Sequence, residues 1–448
     1  MGRGIWSLSE SGFCGTGDKG ETMKFLSYLS AFLGVLTLIR LKPGWATVWL
    51  WGSKLLAGAL TPFLALAGSL GALLGLARKD RKMTWAGLFG AAVAVRHVIN
   101  VTAPHDGFAR AFGANWQSRI PPELRSHLLP KRYTPIPADP PKAIWQRDVV
   151  IGSHVETSDP LLADVWQPPD GTPRTGLTII YLHGSAWAYL DKDMGTRRFF
   201  RHLTGQGHVV VDLAYTLAPK AQLLAMVADV KRAIAWLKIN AAEYGVNPER
   251  IVLMGGSAGG HLSLLAAYTP NHPELQPADV ETDTSVRAVV SYYGPPDLRA
   301  THDHFQAYSD LLTGKTRLER MIIANLELFY HRIRLLPPEG KVVSPANVLP
   351  GLLGGAPDDV PELYRLGSPI NHIGPHCPPT LLLQGDHDLA GMLPDVRRLH
   401  RALREAGVAS VYVEFPDTDH AFDLILPKWA PTAQAATYDT ERFLALMV

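Results

Sequence analysis

Hydrophobic positions change their spacing along the chain. In residues 25–95 they come as long runs: 25–39, closed by Arg40 and Lys42; 45–77, interrupted only by Lys54; and 83–95, closed by Arg96 and His97. Residues 55–77 carry no charge, and their length suits a bilayer span of ~20 residues. The cluster Arg78-Lys79-Asp80-Arg81-Lys82 follows, and 83–95 is too short to span comfortably. The runs predict a hydrophobic helical membrane-anchor region over 23–98. Trp45, Trp49, Trp51 and Trp85 suit interfacial anchoring, although tryptophans in a buried core would look the same. A cleaved signal peptide followed by a buried helical hairpin is the alternative. Against it, the apolar material continues far past a signal core, and no small-residue cleavage site precedes it. The basic cluster favours the cytoplasm for its own end. The side of the rest depends on whether 83–95 crosses, lies in the interface or packs on protein. Residues 1–22 are glycine- and serine-rich with no apolar period, so disorder is expected there.

Residues 99–141 read as a polar, proline-dotted connector, in which the sequon Asn100-Val101-Thr102 is taken as incidental. From 142 onward the texture changes. Short apolar runs at 162–166, 177–182, 209–213, 251–254, 286–292, 380–384 and 411–415 read as strands. Helical stretches separate most of the later ones. One of them, 221–244, has its apolar period in Leu224, Val227, Val230, Ile234 and Leu237, and stops at Gly245. This alternation predicts an α/β domain over 142–448, a mostly parallel central sheet with helices on both faces. Between 295 and 369 the alternation lapses into an insertion with a helical piece at 316–335 and a proline- and glycine-rich loop. Its position suits a lid over a site; a solvent-facing decoration is the alternative.

Composition narrows the partners. A chain of 448 residues exceeds the usual single domain, and a formal charge of only +2 suggests no nucleic-acid partner. The two cysteines, Cys14 and Cys377, make neither a disulfide framework nor a metal-ligand set. No metal or cofactor is expected.

The chemistry gathers around residues 251–268. Four apolar residues run into Gly255-Gly256-Ser257-Ala258-Gly259, and an apolar helix-like stretch follows. The pattern G-x-S-x-G on a strand–turn–helix is the nucleophile elbow of α/β-hydrolases. No G-K-[ST] follows, so this is not a Walker loop. A serine hydroxyl needs a histidine to take its proton and a carboxylate to orient that histidine. The run 380–384 leads to Gly385-Asp386-His387-Asp388, and 411–415 leads to Asp417-Thr418-Asp419-His420. His420, the histidine after the last strand, is the expected base. Asp388 is preferred over Asp386 as the acid, because it stands three residues past the glycine; Asp386 has a turn-forming role as its alternative. His387 is read as a loop residue and His261 as a packed one. An oxyanion hole is expected from Ala258 and from Gly184, Ser185 and Ala186 in the loop His183-Gly184-Ser185-Ala186-Trp187. His183 is expected to brace that loop.

In this order the landmarks carry a resemblance. The chain from about residue 162 to its end resembles the hormone-sensitive-lipase-like branch of the α/β-hydrolase superfamily, the alpha/beta hydrolase fold-3 esterases. Residues 183–187 stand for its HGGGW loop, and Tyr215-Thr216-Leu217-Ala218-Pro219 for its Y-R-L-A-P segment. Asp229, Ala233 and Trp236 match the helix that follows. Three departures leave the subfamily open: Ser185 and Ala186 replace loop glycines, Gly256 replaces an acid, and Lys220 opens a tail usually acidic. They hint at the feruloyl-esterase-like, formamidase and prenylcysteine-methylesterase groups. The resemblance implies a serine carboxylic-ester hydrolase, and the adjoining anchor suggests a lipophilic ester and a lipid bilayer as partners. An amidase, formamidase or acyltransferase with the same triad is one alternative. A non-catalytic hydrolase fold serving as a receptor is another, and nothing in the motifs sets an oligomeric state.

Overall fold

The computed structural model describes residues 19–43, 47–154, 159–309, 321 and 345–448. Its centre is an eight-stranded sheet ordered β1-β2-β4-β3-β5-β6-β7-β8. The strands are β1 (Ile144–Ser153), β2 (Pro160–Gln167), β3 (Thr178–Leu182), β4 (Val209–Ala214), β5 (Ile251–Gly256), β6 (Ala288–Tyr292), β7 (Thr380–Gly385) and β8 (Ser410–Phe415). β2 runs antiparallel to β1 and β4, and all other neighbours are parallel. Parallel strands covered on both faces need apolar residues at every position, and β3, β5 and β6 are buried throughout. Their side chains still alternate. Ile180, Leu182, Leu253, Val289 and Leu382 enter one core, while Ile179, Tyr181, Val252, Val290 and Leu383 enter the core on the other face.

β1 had no counterpart in the pattern reading, because most of its residues are exposed at the sheet's edge. Its register breaks twice, between Gln146 and Val149 and between Val150 and Gly152. The opposite edge, β8, is packed against a short helix, Gly107–Phe112.

Among the described residues, the helices that precede the sheet begin with four long ones: α1 (Lys19–Leu38), α2 (Thr47–Ala59), α3 (Thr61–Arg78) and α4 (Arg81–Thr102). Three expectations change here. Residues 19–22 are helical rather than disordered. The run 55–77 is not one helix, because Pro62 starts a new one after Leu60. The run 83–95 is not short: Asp80 caps α4, accepting from Met83 N, and the helix carries on through Arg96 and His97 across the expected boundary at 98. α3, and α4 with the residues continuing it to Phe112, are long and apolar enough to cross a membrane.

α1, α3 and α4 pack together as a bundle. Small residues of α3 (Gly68, Gly71, Ala72, Gly75) face inward, while Leu66, Leu70, Leu73 and Leu76 are exposed. A Cβ at Gly68 would lie 2.7 Å from Gly87 O, and one at Gly87 would lie 2.5 Å from Gly68 O. Only glycine lets these backbones approach so closely. At one end of the bundle Lys24 lies 3.4 Å from Asp80. At the other it meets the α/β domain: Arg96 bonds Asp417 at 2.6 Å, and the rings of Phe63 and Trp429 lie 5.6 Å apart.

The stretch expected as a polar connector also docks, placing Phe108, Ile120 and Leu124 in the second core. Within the insertion the helical piece expected at 316–335 lies, apart from Met321, outside the described residues. Its flanks are not surface decoration, since Leu298, Leu349, Leu352 and Tyr364 join the first core.

Candidate active site

β5 ends in the turn that carries Ser257. Its φ of 53° and ψ of −120° are strained for a side chain with a Cβ. The glycines make room for that turn. A Cβ at Gly259 would stand 1.9 Å from Leu182 O, and one at Gly255 would stand 2.5 Å from the same atom. Ser257 Oγ is thereby lifted to the carboxyl end of the sheet, toward the loops after β7 and β8.

Those loops supply the other two groups. His420 Nε2 lies 2.9 Å from Ser257 Oγ. His420 Nδ1 lies 3.1 Å and 3.0 Å from the two Asp388 oxygens. Asp388 is itself held by Gln384 Nε2 at 2.7 Å and Ala390 N at 2.9 Å. Of the two candidate aspartates, the one touching His420 is therefore Asp388. Asp386 accepts from Thr418 N at 3.4 Å, and burial raises its pKa. Burial alone would lower the His420 imidazole, but Asp388, with Asp419 and Asp423 beyond it, holds it above its ordinary 6.5.

The loop after β3 lies beside the elbow. A Cβ at Gly184 would come within 2.9 Å of Gly256 O and 3.3 Å of Ser257 Cβ. Ser185, Ala186 and Trp187 all take positive φ, 85°, 55° and 58°, so the replacements for glycine adopt a conformation that glycine favours. The Ser185 hydroxyl bonds Gly184 O and Tyr189 O within the loop. His183 stacks on Tyr215 at 4.6 Å, and Tyr215 OH donates to His183 O at 2.9 Å. Burial lowers His183 to about 4, so it is neutral and braces the loop. Ala258 opens the helix after the elbow, where first-turn N–H groups have no intrahelical acceptor. His261 is fully buried between Trp187 Nε1 at 3.3 Å and Gly367 O at 2.7 Å.

Sequence reasoning missed several groups around His420. Tyr293 sits with its ring 4.6 Å from the imidazole and donates to Asp423. It also fills the space beside Gly256, where an added Cβ would meet its hydroxyl at 3.1 Å. From α2, Trp51 Nε1 donates to His420 O at 3.1 Å, and Lys54 bonds Asp419 at 3.0 Å. The available signal was the isolation of Lys54 in an apolar run, since an unaccompanied charge there needs a partner. Among the described residues no group of His, Cys, Asp and Glu is placed to hold a metal ion.

Known proteins are similar to this chain in sequence. A family model described as BD-FAE matches residues 163–403. Esterase LipQ of Mycobacterium tuberculosis (strain ATCC 25618 / H37Rv) is 34% identical over 265 residues, 59% of this chain and 54% of that protein. The probable carboxylic ester hydrolase LipM of the same strain is 30% identical over 433 residues, 90% of this chain and 87% of that protein. Esterase LipC, also from that strain, is 30% identical over 277 residues and 60% of its own length. The chain thus spans little more than half of LipQ and LipC, and most of LipM. Among solved structures, a propionate-bound esterase, Est2 of Thermogutta terrifontis, is 22% identical, covering 67% of this chain and 93% of that one, with a TM-score of 0.46.

Proposed function

This chain belongs to the BD-FAE family of α/β-hydrolases, of the hormone-sensitive-lipase-like esterase kind, and from that premise we propose that it hydrolyses carboxylic esters with Ser257, His420 and Asp388. The observation that carries the reading is the unbroken hydrogen-bonded path from Ser257 Oγ through His420 to Asp388, with contacts of 2.9, 3.1 and 3.0 Å. Ser257 Oγ attacks the ester carbonyl while His420 Nε2 takes its proton. Asp388 fixes the tautomer and stabilises the imidazolium. The backbone N–H groups of Gly184, Ser185, Ala186 and Ala258 face the developing oxyanion. His420 then protonates the leaving alcohol, and water, deprotonated by His420, releases the acid from Ser257.

The same reading places the enzyme on a membrane with a lipophilic ester as substrate. Its support is the exposed stripe Leu66, Leu70, Leu73 and Leu76, set against an inward face of α3 rich in glycine and alanine. A soluble protein buries its large apolar side chains; lipid reverses the order. The bundle's two ends also differ. Arg78, Lys79, Arg81 and Lys82 lie at the Asp80 end, and the α/β domain lies at the other. By the tendency of basic residues to stay in the cytoplasm, the catalytic domain sits on the opposite side, next to the bilayer surface.

The test is fluorophosphonate labelling of the full-length protein in detergent, beside Ser257→Ala and His420→Ala, followed by p-nitrophenyl esters of rising chain length. Labelling should vanish in Ser257→Ala and fall strongly in His420→Ala, with longer acyl chains turned over better. A folded wild type that neither labels nor hydrolyses any ester would overturn the reading.

A further inference from the structure

Lys54 is the one charge in residues 45–77, and it points into the protein at 3% exposure. Its ammonium lies 3.0 Å from Asp419 Oδ2 and 3.1 Å from His387 Nδ1. The other Asp419 oxygen accepts two backbone N–H groups, His420 at 2.9 Å and Leu389 at 3.0 Å. One of these amides belongs to the proposed base, and the other to the residue after the proposed acid. Three residues before Lys54, on the same face of α2, Trp51 holds the His420 carbonyl at 3.1 Å. The peptide groups on both sides of the His420 side chain are thus fixed by one cluster: the N–H by Asp419, the C=O by Trp51.

A buried carboxylate beside a histidine that must become cationic does two things. It organises amides, and it favours the imidazolium. Left without a counter-ion it is also poorly tolerated in the interior. We propose that α2 is a positioning element of the active site: Lys54, acting through Asp419, holds the Asp388 and His420 loops together and offsets the charge that His420 feels. The inference rests on the triad reading above. Lys54 is faced by Asp419, Asp417, Asp386 and His387 from the two loops and by His97 from α4, and Arg96 of α4 pairs with Asp417. His420 is faced by Asp388, Asp419 and Asp423, with the Tyr293 ring against it.

Removing the Lys54 charge leaves Asp419 uncompensated, favours the imidazolium and raises the pH at which His420 becomes a base. Neutralising Asp419 does the reverse. Ester hydrolysis by the full-length chain in detergent is therefore measured against pH for the wild type, Lys54→Met, Asp419→Asn and the double variant. Lys54→Met is expected to move the acid limb of kcat/KM up by roughly half a unit or more and to lower kcat by roughly tenfold at neutral pH, with KM little changed. Asp419→Asn moves the limb down, and the double variant returns toward the wild type. Single variants that leave the limb in place, or that shift it in the same direction, overturn the proposal. Should Lys54→Met not fold, Asp419→Asn decides alone: a lowered limb supports the proposal and an unmoved one overturns it. A wild type whose hydrolysis survives Ser257→Ala would instead sink the triad itself.

Discussion

Trp51, on a helix of the N-terminal region, donates its indole N–H to the carbonyl oxygen of His420, 369 residues further along the chain. The apolar region is therefore not a tether that ends where the α/β domain begins. It contributes hydrogen bonds to the loop that carries the proposed base.

Truncation should expose this dependence. A chain starting at residue 104 loses Trp51 and Lys54, uncovers Trp429, and leaves the buried Asp419 without its cation. Breaking a buried ion pair by removing one partner costs about 3–5 kcal/mol. The truncated protein is expected to be largely insoluble or unlabelled by fluorophosphonate. A soluble fragment with full esterase activity would show that the domain needs nothing from α2.

The pH profile follows from His420. Its folded pKa lies above 6.5, held up by Asp388 against the effect of burial. Only the neutral imidazole takes the Ser257 proton, so kcat/KM should rise with pH through a midpoint above 6.5. A midpoint below 6 would mean that burial outweighs the carboxylates.

The two aspartates after β7 are separable by substitution. Asp388→Asn keeps the shape but removes the charge and permits the wrong tautomer, so kcat should fall by about 10⁴-fold. Asp386→Asn should change kcat by less than about threefold, because its carboxylate bonds Thr418 N and not His420. Equal losses in the two variants would contradict the geometry.

Gly259→Ala is expected to prevent folding of the elbow. The added Cβ would meet the Leu182 carbonyl at 1.9 Å, and both partners are backbone in a packed core. Destabilisation by more than about 3 kcal/mol is expected, read as a lowered thermal midpoint or lost expression. Gly256→Ala is the control: its Cβ meets only the Tyr293 ring edge and hydroxyl, at 3.1 Å or more, and should be far milder.

Membrane attachment has a direct readout. The full-length chain should stay with membranes through an alkaline carbonate wash and enter solution only with detergent. Replacing Leu66, Leu70 and Leu73 together by Ser should weaken that retention without disturbing the elbow. Recovery of the unaltered chain in the soluble fraction would remove the basis for a bilayer partner.

Much of the geometry around Ser257 was legible because the residues that meet there sit in local patterns. A G-x-S-x-G turn after an apolar run, an aspartate three past a glycine, and a histidine after the last strand are spacings within single loops. The core strands were legible for a similar reason: burial on both faces leaves an apolar run with no alternation to misread. The rest depends on contacts between distant segments. Nothing local to Tyr293, Asp423 or Asp419 marks them as neighbours of His420. β1 was missed because an exposed edge strand carries little hydrophobic signal. The helix boundaries slipped where a proline after Leu60 split one apolar run and where polar Arg96 and His97 hid the continuation of another. Arg96 is polar because it bonds Asp417 of the α/β domain, not because the helix ends.

The two edges of the sheet have a consequence for how copies of this chain meet. An edge strand with a continuous row of unpaired N–H and C=O groups is a template on which another chain's strand can add, and so a start for aggregation. β1 interrupts that row twice within ten residues, and Asp148, at φ 52°, turns the backbone within the first break. At the far side the helix Gly107–Phe112 lies over β8. The β1 margin thus offers no straight run long enough to be copied, so growth of the sheet across it from one molecule into the next is opposed by backbone shape, while β8 has a helix packed beside it.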